Sequence, residues 1–67
     1  MTERLTIGDV RQAGYCVSGA RRRCRELNLD FKMLVREGLP FDVLEPLEDP
    51  AVRRSLAVAR KRIAEEN

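Results

Sequence analysis

Val17-Ser18-Gly19-Ala20-Arg21-Arg22-Arg23-Cys24-Arg25-Glu26-Leu27 is the stretch whose reading decides the fold. Val17, Ala20, Cys24 and Leu27 are spaced three, four and three positions apart. At about 100° per residue they fall in one stripe of a helix, while Arg21, Arg22, Arg23, Arg25 and Glu26 fan over the rest. One side wants a core, and the other wants water or an anion.

Moving outward toward the N-terminus, residues 1–5 read as a frayed tail. In Leu5-Thr6-Ile7-Gly8-Asp9-Val10 several helix-start signals agree. Thr6 can cap, Asp9 can reach back in the manner of a capping box, and Leu5 can pack on Val10 as a hydrophobic staple. The first helix is expected over Ile7–Ala13, with Gly14 as its stop because glycine accepts the left-handed conformation. Tyr15-Cys16-Val17 then connects to a second helix capped by Ser18 or beginning at Tyr15, and Asn28 ends it.

Toward the C-terminus, Asp30 caps a third helix, with Leu29 placed to staple onto Leu34. Phe31, Leu34 and Val35 are its expected buried stripe, and Gly38 terminates it. Residues 39–49 form a connector whose acids are Asp42, Glu45, Glu48 and Asp49; Pro40 and Pro46 bracket one helical turn, Phe41-Asp42-Val43-Leu44, that packs through Phe41, Leu44 and Leu47. Asp49-Pro50 places a cap before proline at the first helical position, so the long last helix is expected over residues 50–65. Within it Val52, Leu56, Ala59 and Ile63 recur at four, three and four, a short a/d seam that can pack inward, self-pair or dock on a partner. No alternating apolar and polar run is present, so the expectation is an all-α single domain over residues 1–67. Its architecture is a small bundle of three main helices plus a short connector helix, with a helix-turn-helix-like start.

A chain of 67 residues buries only about 60% of the surface its unfolded form exposes, and domains of this size commonly need a staple or a partner subunit. Two cysteines and no histidine leave little for a staple. Cys16 and Cys24 on one helix would stand about 12 Å apart, beyond disulfide reach, and a zinc site needs four ligands. No disulfide, metal or cofactor is expected. Residues 1–20 lack the continuous apolar run of a signal peptide, and no segment approaches a membrane span. The expected setting is the cytoplasm.

The net charge is only +2, but it is unevenly placed. Arg21 to Arg25 holds four arginines and no acid, and Arg53 to Arg62 holds five cations and no acid, with the acidic connector between them. Arg21, Arg22 and Arg25 form a candidate surface for an anion or nucleic acid, since arginine grips phosphate or a guanine edge bidentately. The competing reading is a solvated face, bridged to the acidic belt within the chain or in a neighbour.

An enzyme is not expected. Ser18 and Ser55 have no base in view, and Cys16 or Cys24 could act as a nucleophile only if arginines lowered the thiol pKa. Paired acids lack a concave site, which a domain this small seldom forms.

Two resemblances add to this reading. Leu5-Thr6-Ile7-Gly8-Asp9-Val10 resembles the start of mercury-resistance-type regulators. Departures follow at once: the glycine comes early, the spacing to Ser18 is too long, and the aromatic and arginine residues after the second helix, and any wing, are missing.

Val10-Arg11-Gln12-Ala13-Gly14-Tyr15-Cys16, then Gly19-Ala20-Arg21, Leu29-Asp30-Phe31, Val35-Arg36-Glu37-Gly38-Leu39 and the late Leu47-Glu48-Asp49-Pro50-Ala51 helix start resemble small proteins of tailed bacteriophages and prophages. Where those have aromatic residues after Arg23, this chain has Cys24 and Arg25, giving a smaller second-helix core. The resemblance implies a phage setting, in a bacterial host cell or a virion, and a non-enzymatic accessory role.

The expected function is therefore protein–protein binding in particle assembly or in modulation of a host component, by a homo-oligomer or with another protein, through Val52, Leu56, Ala59 and Ile63. The alternative is a small DNA-binding regulator using Arg21, Arg22 and Arg25.

Overall fold

Asp9 sets the first helix and ties it to the last. In the computed structural model, which describes residues 3–66, Thr6 Oγ1 accepts the Asp9 backbone N–H at 3.2 Å and Asp9 Oδ2 accepts the Thr6 backbone N–H at 2.9 Å. This reciprocal capping box opens α1, Ile7–Gln12. Gly14, at φ +103°, takes the left-handed turn out of it, as its sequence position predicts.

The second helix, α2, spans Val17–Glu26 and is capped by Cys16, whose Sγ accepts the Gly19 N–H at 3.3 Å. Neither the Ser18 cap nor the Tyr15 start holds, because a thiol fills the acceptor role expected of a hydroxyl. Asn28 ends the helix at φ +60°. The Leu29 N–H reaches Cys24 O at 2.7 Å and the Asn28 N–H reaches Arg25 O at 3.2 Å, the paired bonds of a Schellman stop.

After α2, Asp30 caps α3, Phe31–Arg36, by accepting the Met33 N–H at 3.1 Å. Its expected stripe loses Val35: Leu34 is 2% exposed and Phe31 is half-buried against the core, whereas Val35 is 48% exposed. A six-residue helix rests on the core through Leu34 and Phe31, and Val35, about 100° round from Leu34, faces outward. α4 is the single turn Phe41–Leu44, and α5 runs Pro50–Glu66.

The N-terminal segment departs from expectation. Arg4–Leu5 is not frayed: as β1 it pairs antiparallel with Leu39–Pro40, β2, in the register Arg4↔Pro40 and Leu5↔Leu39. The fold is thus mainly helical, about two thirds of the residues, with a two-stranded ladder at one side. Two-residue strands are too short to carry a period-2 pattern, which is why none was visible. Gly38 does more than stop α3: at φ +87° its missing Cβ would lie 2.9 Å from Leu5 O, so the strands approach only because the side chain is absent.

The core is Leu5, Val10, Ala20, Cys24, Leu34, Leu39, Phe41, Leu44, Val52, Leu56 and Ala59. In α2 the stripe loses its first member, since Val17 opens the helix and is 45% exposed, while Ala20 and Cys24 are buried and Leu27 half-buried. In α5 Val52, Leu56 and Ala59 are 7%, 4% and 0% exposed and Ile63 is half-buried. That seam packs inward, under α1 and β1, and so is used by the chain's own core rather than offered outward as the self-association surface expected of it. No helix among the described residues is long and apolar enough to cross a membrane.

Candidate anion-binding face

The cations of this chain divide by whether they have a partner. Arg62 lies over α1, with Nε 2.9 Å from Asp9 Oδ1 and Nη2 3.2 Å from Asp9 Oδ2, and Nη2 also donates to Arg4 O at 3.2 Å. Burial pushes the Asp9 carboxyl up. The Arg62 bond, the Thr6 N–H and hydroxyl, and the Arg62 charge together outweigh that, so it sits below the usual carboxylate range.

Arg23 repeats the device from α2. It bonds buried Asp49 and donates to Glu26 Oε1 at 3.0 Å, while Asp49 Oδ2 caps α5 by accepting the Val52 N–H at 3.1 Å. The Arg23 bond holds the Asp49 carboxyl low against the opposing effect of burial. Arg60 reaches Glu45 at 3.3 Å and lies 5.6 Å from the Phe41 ring. Arg4 donates to Gly38 O at 3.0 Å.

Arg21, Arg22 and Arg25 are different, as are Arg11, Arg36, Arg53 and Arg54, which are also exposed and in no ion pair with a described residue; what sets the α2 arginines apart is that three of them lie on one helix. All three are exposed, and none forms an ion pair with any described residue. No acid of the belt pairs with them: Asp49 is bound to Arg23 and Glu45 to Arg60, and Asp42 and Glu48 form no ion pair with a described residue. Arg21 alone has a support: its guanidinium carbon lies 5.6 Å from the centre of the Phe31 ring on α3, a cation–π contact that leaves the in-plane N–H donors free. With Ser18, also exposed, the three make one continuous face.

On the opposite side of α2 is a groove of about 490 Å³, lined by Tyr15, Ala20, Cys24, Leu27, Leu29 and Val52 among others. The expectation that so small a domain lacks a concave surface is corrected here. The groove is apolar. Its charged neighbour Arg23 is held by Asp49 and Glu26, and Ser55 Oγ donates to Ala51 O at 2.8 Å, so little polar capacity is left to act on a substrate.

The two thiols differ. The Ser18 hydroxyl and the Gly19 N–H lower the exposed Cys16, whereas burial, helped by Asp30, raises Cys24. Among the described residues no group of three or more His, Cys, Asp or Glu could hold a metal ion.

The structure therefore brings Arg21, Arg22 and Arg25 together on one face and takes Val52, Leu56, Ala59 and Ile63 into the interior. Sequence reasoning missed Phe31 as the support of Arg21, and Arg23 and Arg62 as structural cations. An acid already committed to a cap at Asp9 or Asp49 was the only available signal, and it does not say which distant cation answers. Comparison of the chain with protein families, with curated proteins and with solved structures finds no match.

Proposed function

We propose that this chain is a small non-enzymatic DNA-binding module of helix-turn-helix type, with α2 as the helix that enters the major groove. The observation that carries the reading is that Arg21, Arg22 and Arg25 share one exposed face without a carboxylate partner. Arg23, Arg60 and Arg62 are bound to the chain's own acids, and the other exposed arginines without an ion pair, Arg11, Arg36, Arg53 and Arg54, are spread over α1, α3 and α5. Support comes from the connection: α1 and α2 are separated by residues 13–16 with Gly14 at φ +103°, the length and glycine placement of that motif's turn. In the phage setting implied by resemblance, the role is that of an accessory regulator.

Fluorescence anisotropy with a labelled 20-bp duplex tests this across a salt series. Each phosphate neutralised contributes about −0.9 to the log–log slope, and the triple variant Arg21→Ala, Arg22→Ala, Arg25→Ala abolishes that binding with its helical signal unchanged. No binding at low salt removes the reading.

The groove favours a second reading, docking of a phage or host protein. With the α5 seam inward, the anchor for such a partner is a pair of its apolar side chains seated between Leu27, Leu29 and Val52, since about 490 Å³ exceeds the volume of any one side chain. Binding that survives the triple arginine variant and is lost on Ala20→Trp, which fills the groove, selects this reading over DNA.

A further inference from the structure

The arginines of α2 do not occupy equivalent places on the helix. Ala20, Cys24 and Leu27 define the inward direction. From the pole opposite them Arg22 lies about 15° away, Ser18 about 25°, Arg25 about 45° and Arg21 about 90°. Arg22 and Arg25 therefore flank the outermost line of the helix, and Arg21 stands on its side, against Phe31 of α3.

The other side of α2 is closed to an anion, because Arg23 there is neutralised by Glu26 and Asp49. Among the α2 arginines, a duplex backbone is therefore gripped from the Arg21 side. A helix seated in a major groove points its outermost residues at base edges and its lateral residues at a phosphate wall. Arg22 and Arg25 are separated by about 4.5 Å along the axis, close to the 3.4 Å of one base-pair step.

Resting on the DNA-binding reading, we infer that Arg22 and Arg25 read two adjacent guanines through O6 and N7, while Arg21, steadied by the Phe31 ring, clamps one phosphate and fixes the helix orientation. Guanine is the base whose major-groove edge offers two acceptors matched to the guanidinium fork. The Phe31 contact sets Arg21 beside the helix without using its N–H donors.

The test is selection of duplexes from a randomised 20-bp pool with the purified full chain, followed by anisotropy on the selected and the random duplexes. The wild type enriches a pair of neighbouring guanines. Arg22→Ala or Arg25→Ala binds the selected duplex about tenfold more weakly, leaves random-duplex affinity nearly unchanged and loses enrichment at one of the two positions. Replacing those guanines by 7-deazaguanine, which removes N7 but keeps pairing, reproduces the tenfold loss for the wild type and has less effect on each variant.

Arg21→Ala weakens selected and random duplexes by the same factor and reduces the salt slope by about 1. Phe31→Leu, which keeps an apolar residue there, shifts binding in the same way but less. Binding with no base preference, or preference lost with Arg21→Ala and kept in the other two variants, overturns the division while leaving DNA binding standing. Absence of any binding overturns both.

Discussion

Arg62, in the closing turns of α5, grips with two nitrogens the same Asp9 carboxylate that caps α1, at 2.9 and 3.2 Å. Asp9 is 2% exposed, so its charge has nowhere else to go. One carboxylate thus serves a local cap and a contact across 53 positions of sequence.

Arg62→Met keeps the aliphatic stem and removes the charge. It should cost about 3–5 kcal/mol, because the loss strands a buried carboxylate. Urea denaturation followed by circular dichroism checks this, and a loss under about 0.5 kcal/mol would show that water replaces the guanidinium freely. Adding Asp9→Asn should recover part of the loss, giving a large non-additive coupling.

Acid should unfold this protein early. Asp9 and Asp49 both titrate below their ordinary value of 3.8 in the folded chain, so protons bind the unfolded state more readily. Their contribution is fully present above about pH 4–5 and is lost as pH falls through 3.8 toward the lower folded values. A stability profile between pH 7 and pH 2 should fall over that window, and the fall should be shallower in Asp49→Asn; equal profiles would contradict the assignment.

Gly38→Ala forces a Cβ into the left-handed region and within 2.9 Å of Leu5 O. The conformational cost alone is about 1 kcal/mol, and the clash adds to it. Thermal unfolding should shift down by at least 4–8 °C, the response of a domain of this size to about 1 kcal/mol. An unchanged midpoint would mean that the β1–β2 ladder can part without consequence.

Cys16 should react with a disulfide reagent well before Cys24, since it is exposed and its thiol is lowered, while Cys24 is buried and raised. Stopped-flow thiol titration of the native protein should resolve one fast and one slow group. Cys16→Ser should preserve the cap, and Cys16→Ala should lose it and lower the unfolding midpoint.

Leu56→Asp separates an inward seam from an intersubunit one. Leu56 is 4% exposed, so the variant should unfold, by circular dichroism, at every protein concentration. A folded variant whose light-scattering mass drops below that of the wild type would place the seam between subunits instead.

Local signals in the sequence were legible where the structural cause is local. Thr6 with Asp9, Asp30 and Asp49-Pro50 each place a helix start within one turn, and Gly14 and Asn28 each place a stop. The alternation of arginines and small apolar residues in 17–27 sufficed to orient α2. What escaped reading was long-range: the pairing of Arg4–Leu5 with Leu39–Pro40, and the choice of Asp9 by Arg62 and of Asp49 by Arg23, separated by 53 and 26 positions.

Periodicity also says that a helix has an apolar face without saying what will cover it. The α5 seam therefore read as inward, with an intersubunit seam as the alternative, until its neighbours α1 and β1 were in place. The groove behind α2 left no mark in the sequence, because a gap is a property of several elements failing to meet.

The Arg62–Asp9 contact also constrains the order in which a cell can complete this molecule. Until residue 62 has left the ribosomal exit tunnel, the first helix carries an acid that must stay hydrated and a strand whose Arg4 carbonyl lacks its guanidinium donor. The contact that fastens α1 to α5 is therefore among the last that synthesis makes available, 53 positions after the acid it answers.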